Sequence, residues 1–161
     1  ITATTPAHSQ GLKRILVQNP DSASGLLPSA FTYLGANGRF FALSPCRLID
    51  TRLATGALGG PALAASALRV FAVAGTCGVP PGAKALSVNL TVTGATAPGF
   101  LTLYAAYDPA PTASSVNFSA GETLANNAVL KVGATGNASL AVKNGSTGAV
   151  NFILDVNGYF E

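Results

Sequence analysis

Methionine and tryptophan are absent from the 161-residue sequence, and His8 is the single histidine. A Ser–His–Asp triad needs a histidine that a third group holds in register. His8 lies instead in a polar segment near the start of the chain, among Ser, Thr and Pro residues. The absence of tryptophan also weakens any sugar-binding platform built from large aromatic side chains.

Charged residues are scarce, at 9% of the chain, and the formal net charge is +3. The nine basic residues are scattered from Lys13 to Lys143 and do not form the cluster that phosphate binding requires. We therefore predict no nucleic-acid partner. No apolar run approaches the roughly 20 residues of a membrane-spanning helix, so no membrane span is predicted either.

The motifs of common catalytic and metal sites are missing: there is no G-x-S-x-G, no H-E-x-x-H and no Cys/His metal spacing. We expect no catalytic residue, metal or cofactor, and predict that the protein is not an enzyme. Two alternatives stay open. Asp50 and Asp155 are the best pair for a glycosidase, and Asp155–Gly158 with Asn126 and Asn127 could supply oxygens to calcium, although turn formation explains "DVNG" equally well.

The two cysteines, Cys46 and Cys77, have neither metal-site nor redox-motif spacing. They predict one structural disulfide, formed in an oxidising compartment, against the alternative of two buried thiols. The lack of methionine in a chain that starts at Ile1 adds the expectation that an export signal is removed. A secreted, extracellular or cell-surface location follows from both.

Turn-forming residues recur at short intervals, as in "GATAPG", "YDPAPTAS" and "NGSTG", which is typical of strands joined by hairpins and short loops. The apolar and polar residues between them alternate most clearly in residues 85–93 and 150–156. We predict an all-β, two-sheet sandwich, with jelly-roll connectivity among its possible arrangements and a closed barrel as the alternative. The predicted strands are Arg39–Leu43, Leu68–Ala74, Ala85–Thr93, Phe100–Tyr104, Ser114–Phe118, Asn127–Val132, Ser139–Lys143 and Val150–Val156.

The first part of the chain differs from the rest. Residues 1–38 are predicted to form an extended N-terminal arm, and residues 39–161 the sandwich domain. The arm contains one short apolar and basic strand, followed by a long run that Pro and Gly interrupt. We predict that this strand is donated to the sheet of a neighbouring subunit; the alternatives are folding back onto its own domain or serving as a linker. The contact residues would be Leu12, Ile15, Leu16 and Val17.

The segment "ALSPCRLIDTR", Ala42 to Arg52, combines a cysteine, a carboxylate and two arginines. We interpret it as a structural cluster that holds neighbouring segments together and does no chemistry. Asp50 and Arg52 share a face in an extended chain, whereas Arg47 points the other way. Arg52 is therefore the expected partner of Asp50, and Arg47 is expected to reach Asp155 or a backbone carbonyl.

Five segments, "LSPCRLIDTR", "CGVPPGAKALSVNLTVTG", "PGFLTLYAA", "PTASSVNFSAGETLANNAVL" and "VNFILDVNGYF", resemble a module of large secreted and cell-surface proteins of bacteria. The resemblance covers about residues 40–160. It implies an exported, non-catalytic β domain and supplies no binding residues.

The expected function is therefore an extracellular structural subunit that forms a head-to-tail homopolymer, such as a pilus-like filament, through its arm. A carbohydrate-binding or adhesive module is the alternative. Four Asn-x-Ser/Thr triplets begin at Asn89, Asn117, Asn137 and Asn144. Asn144, in a predicted hairpin tip, is expected to be the most accessible candidate glycan acceptor among them.

Overall fold

The computed structural model describes residues 11–18, 24–33, 38–133 and 136–161. The chain divides into two compact units, Ile1–Asn37 and Gly38–Glu161.

The described residues of the N-terminal unit form two antiparallel strands, β1 (Gly11–Gln18) and β2 (Ser24–Tyr33). The sequence predicts β1 and an irregular segment after it, and the second of these predictions is wrong, because that segment contains β2. Pro28 belongs to a ten-residue strand. The register of the pair shifts between Lys13 and Ile15, opposite Pro28. A proline is tolerated in such an irregularity because the ladder there needs no N–H donor.

The C-terminal unit contains eight strands in two antiparallel sheets of four. No helix occurs in the parts of the chain that the structure describes. The strands are β3 (Phe40–Asp50), β4 (Leu68–Ala72), β5 (Ala85–Thr93), β6 (Gly99–Ala105), β7 (Val116–Phe118), β8 (Leu124–Lys131), β9 (Ser139–Asn144) and β10 (Asn151–Phe160).

The strand order is β3-β10-β5-β8 in one sheet and β4-β9-β6-β7 in the other. Four antiparallel pairs are nested along the chain. The innermost pair is β6 with β7, and β5 pairs with β8 around it. The pair β4 with β9 encloses both, and β3 with β10 is outermost. This nesting is the connectivity of an eight-stranded jelly roll. The predicted two-sheet sandwich is confirmed, and each sheet keeps two edge strands instead of closing into a barrel.

The core lies between the two sheets and follows the period-2 pattern of the sequence. In β5, Leu86, Val88, Leu90 and Val92 are buried, while the residues between them are partly exposed. Phe71 of β4 meets Phe152 of β10 edge to face, with ring centroids 5.4 Å apart. This contact joins the two sheets directly, and edge-to-face pairs are a favoured aromatic geometry.

Strand β3 is longer than the sequence predicts, because it continues through Ser44 and Pro45 to Asp50. A proline normally ends a central strand, since it cannot donate to the ladder. β3 is an edge strand, and its register with β10 is irregular between the pairs Val156–Cys46 and Gly158–Ala42. Pro45 falls in that irregular stretch, where a missing N–H is tolerated.

Arg69 holds the long loop of residues 51–67 that connects β3 to β4. Its guanidinium donates hydrogen bonds to the carbonyl oxygens of Pro61 at 2.7 Å and Gly59 at 3.1 Å. The same group lies over the ring of Phe71, 4.6 Å from its centroid. Charge-assisted hydrogen bonds of this kind help to order a loop whose own backbone pairing is limited to isolated bridges.

Cys46 and Cys77 form a disulfide, which confirms the predicted bond. Their Cα atoms are 5.8 Å apart, within the usual range. Cys46 lies in β3, and Cys77 lies in the connection between β4 and β5. The bond therefore ties the edge strand of one sheet to the crossover that leaves the other sheet.

Replacing both cysteines by serine should lower the free energy of unfolding by roughly 3 to 4 kcal/mol, because the bond closes a loop of about 31 residues in the unfolded chain. Urea unfolding of the wild type and the double variant measures this. Reducing the wild type with a phosphine should reproduce the loss. Equal midpoints in all three samples would contradict it, as would free thiols in the denatured, non-reduced wild type.

Candidate functional site

Asp50 is the centre of the charged cluster, and its side chain is 3% exposed. Its partner is Arg52. The Nε and Nη2 atoms of Arg52 donate to the two carboxylate oxygens at 2.8 and 2.7 Å, and the backbone N–H of Arg52 adds a bond of 3.1 Å. A two-pronged contact of this kind is among the strongest that a carboxylate makes. It fixes the chain direction at the point where β3 ends.

Arg47 joins Asp155 to the same cluster. Its Nε donates to Asp155 Oδ1 at 2.9 Å and its Nη2 to Oδ2 at 3.3 Å, while its Nη1 lies 3.5 Å from Asp50 Oδ2. The structure thus brings all four residues of the cluster together: Arg47, Asp50, Arg52 and Asp155. They form a continuous chain of ion pairs across β3 and β10.

A β-bulge explains why Arg47 and Asp50 meet. The prediction that their side chains point to opposite faces of β3 is wrong. Asp155 is paired with Arg47 but Leu154 with Ile49, so Leu48 is an extra residue in β3. One extra residue reverses the alternation of faces. Positions 47 and 50 therefore point to the same side of the sheet.

The electrostatics of Asp50 follow from these contacts. The hydrogen bond from Arg52 is the main cause that lowers the pKa of Asp50 from its ordinary 3.8 to about 2, and burial opposes the shift. The pKa values of the Arg47 and Arg52 guanidiniums are raised, chiefly by their hydrogen bonds to Asp155 and Asp50 respectively. A glycosidase acid needs a shift in the opposite direction. The cluster is suited to fastening strands.

Thr51 extends this fastening and was not identified from the sequence. Its backbone N–H donates to the carbonyl oxygen of Phe152 at 3.1 Å, and its hydroxyl accepts from the Phe152 N–H at 2.9 Å. The side chain therefore stands in for a backbone group and continues the β3–β10 ladder past the last residue of β3. Its position beside Asp50 at a strand end is the only signal in the sequence.

Asn144 corrects a second prediction. It is fully buried, so the expectation that it is the most accessible glycan acceptor is wrong. Its Nδ2 lies 2.8 Å from the carbonyl oxygen of Ala64 and 2.9 Å from that of Gly148, and its Oδ1 accepts from the Ser146 N–H at 2.9 Å. The atom that would carry a glycan is the one that holds the β3–β4 loop against the β9–β10 turn.

The other predicted residues fall elsewhere. The proposed contact residues Leu12, Ile15, Leu16 and Val17 lie in β1 and pair through their backbone with β2. Both carboxylate oxygens of Asp155, the main ligand of the calcium alternative, are occupied by Arg47. Across residues 11–18, 24–33, 38–133 and 136–161, no group of three or more His, Cys, Asp or Glu side chains is arranged to hold a metal ion.

Comparison with known proteins adds no assignment: no protein-family model matches the chain, and no curated protein matches it. Among the residues that the structure describes, no helix has the length and apolar character needed to cross a membrane.

Asp50→Asn should destabilise the fold by roughly 1 to 3 kcal/mol at neutral pH, because it removes the negative charge that accepts the hydrogen bonds of Arg52. Asp50 is buried, whereas Arg52 is half exposed. The depressed pKa contributes stability that is present above pH 3.8 and is lost as the pH falls towards 2. Urea titrations from pH 7 to pH 2 should therefore show the gap between wild type and variant closing below pH 4. A gap that is constant over this range would contradict the pairing.

Asn144→Ala should cost about 2 to 4 kcal/mol, since several hydrogen bonds disappear and buried carbonyl groups lose a donor. Asn137→Ala is the matched control, because Asn137 begins another Asn-x-Ser triplet and is exposed. Thermal unfolding of both variants measures the difference. Equal stability of the two variants would show that the buried amide does not hold the loop.

Proposed function

We propose that the protein is an extracellular structural subunit that assembles head to tail with copies of itself through its N-terminal unit. The observation that carries this proposal is the two-stranded sheet of β1 and β2. A two-stranded sheet is only marginally stable in water and gains stability when a third strand pairs with it. Another copy of the chain supplies such a strand.

The register of β1 with β2 adds a further argument. Ile15 is paired with Leu27 and Leu16 with Leu26, so apolar residues occupy successive positions in both strands. Successive positions of a strand alternate between its two faces. A hairpin with apolar residues at both kinds of position is suited to insertion between other surfaces. Because β1 already pairs with β2, the contributed element is a hairpin instead of the single strand that the sequence predicted.

The edge strands of the sandwich differ in their fitness to receive that hairpin. β7 has three residues and β4 has five, and β3 contains Pro45 and two register irregularities. Short length, proline and bulges all discourage strand addition. β8 has eight residues, contains no proline and keeps an unbroken register with β5. We therefore propose the outer edge of β8 as the acceptor, with β1 of the next subunit as the added strand.

The disulfide and the resemblance to exported bacterial modules support placing this assembly outside the cell. A contact between an N-terminal hairpin and a β8 edge joins two different surfaces. Such a contact does not close on itself in general and can extend into a filament.

Deletion of residues 1–37 should leave a folded monomer, whereas the intact chain should form polymers whose size grows with concentration. Sedimentation velocity and electron microscopy measure both. Leu16→Asp in the full chain should also block assembly, because a charge in the added strand opposes its burial. Ala113→Asp, at an exposed loop position, is the matched control for charge. Polymers formed by the deletion variant, or an intact chain that stays monomeric at high concentration, would contradict the proposal.

A further inference from the structure

A row of polar side chains crosses the outer face of the β3-β10-β5-β8 sheet, which is the face that points away from the core. The register aligns Arg47 with Asp155, Asp155 with Asn89 and Asn89 with Asn127. Aligned residues of neighbouring strands project to the same side of a sheet. With strands about 4.8 Å apart, the row spans roughly 14 Å. It presents guanidinium, carboxylate and amide groups to anything that lies across the strands.

Two shallow depressions flank this row. One has a volume of about 360 Å³ and the other about 340 Å³. The first is lined by Ser87, Asn127, Ala128, Val129 and Asn157, and the second by Pro45, Cys46, Arg47 and Asp155. The row and both depressions thus combine hydrogen-bonding groups with small apolar surfaces, the mixture that ligand sites generally show.

An aromatic platform lies at one end of the same face. The rings of Phe40 and Phe160 have centroids 5.1 Å apart, and Phe40 is 51% exposed. The ring of Phe40 lies so close over Gly158 that a Cβ there would overlap it. The glycine therefore lets the ring approach the backbone of β10 closely. Val129, 63% exposed, adds apolar surface on β8.

The charges of this face cancel within it. Arg47 is paired with Asp155, Arg52 with Asp50, and Lys131 of β8, which shares this face, with Asp108. The other polar groups that face the depressions, Ser87, Asn127 and Asn157, are uncharged. Because its charged side chains form ion pairs, this face has no net attraction for a polyanion or a polycation. The ligand that matches this face is neutral, is rich in hydroxyl groups and also has apolar C–H surfaces.

We infer that the outer face of the β3-β10-β5-β8 sheet binds a neutral polysaccharide, with one sugar ring against Phe40 and later rings over the depression at Ser87 and Asn157 and at the polar row. The hydroxyl groups of the sugars bind to the polar row. The amides of Asn89 and Asn127 both donate and accept hydrogen bonds, whereas Arg47 donates and Asp155 accepts. The exposed Phe40 ring supplies the apolar contact that stacking requires. This site uses the face of the sheet in the C-terminal unit, whereas the assembly proposed above uses the backbone edge of β8.

Affinity electrophoresis of the full chain in gels that contain laminarin, xyloglucan, galactomannan or dextran tests this inference. At least one of these neutral polymers should retard the protein, while the polyanion alginate should not. Phe40→Ala should weaken the retardation about ten-fold and Asn127→Ala about five-fold. Leu16→Asp should leave it unchanged when both proteins are run at a concentration at which the wild type is monomeric, which separates this result from the outcome of the assembly experiment.

Matched controls lie on the other sheet. Phe100 is 37% exposed and its ring packs over Gly145, so Phe100→Ala repeats the aromatic change. Asn117→Ala repeats the amide change at an exposed position of β7. Both controls should bind as the wild type does, and circular dichroism should show all variants folded. Migration unaffected by all four neutral polymers, retardation by alginate alone, or equal losses in variants and controls would overturn the inference.

Discussion

The pairing of β3 with β10 is the constraint on which the rest of the sandwich depends. These are the first and last strands of the C-terminal unit, and Arg47 and Asp155, which join them, are 108 positions apart. Closing so long a loop costs conformational entropy before any contact is made. Specific contacts are concentrated at this seam: the ion pairs, the hydroxyl of Thr51, and the stack of Phe41 on Tyr159 with centroids 5.1 Å apart. Together they offset that cost.

Local patterns in the sequence foreshadow the layers of the sandwich. The alternation in Ala85–Thr93 identified β5 to the residue, because strand periodicity and burial coincide there. The alternation from Val150 likewise identified β10, although the strand runs on to Phe160. Prolines were the main source of error. Those at positions 28 and 45 suggest strand breaks, but both lie where the ladder is irregular, and only the partner strand reveals that irregularity.

In the candidate site, some contacts could be predicted from the sequence and others could not. The pairing of Asp50 with Arg52 could be predicted from their spacing alone. The disulfide could be predicted because the chain has two cysteines without metal-site or redox-motif spacing. The bulge at Leu48 depends on how β10 aligns with β3, which no local pattern specifies. The burial of Asn144 depends likewise on a loop more than 70 residues earlier, whose carbonyl groups approach it only in the folded state. Reading "NGSTG" as an exposed turn missed this because turn residues also cap buried loops.

The nested topology has a mechanical consequence. Because Phe40 is paired with Phe160, the C-terminal unit begins and ends side by side. A pulling force applied between its two ends loads the β3–β10 ladder one residue pair at a time, so the strands peel apart instead of sliding in shear. Peeling from the Phe40 end reaches Cys46 after six residues, where the covalent link to Cys77 stops β3 from being drawn out further. The disulfide therefore acts as a mechanical stop for β3.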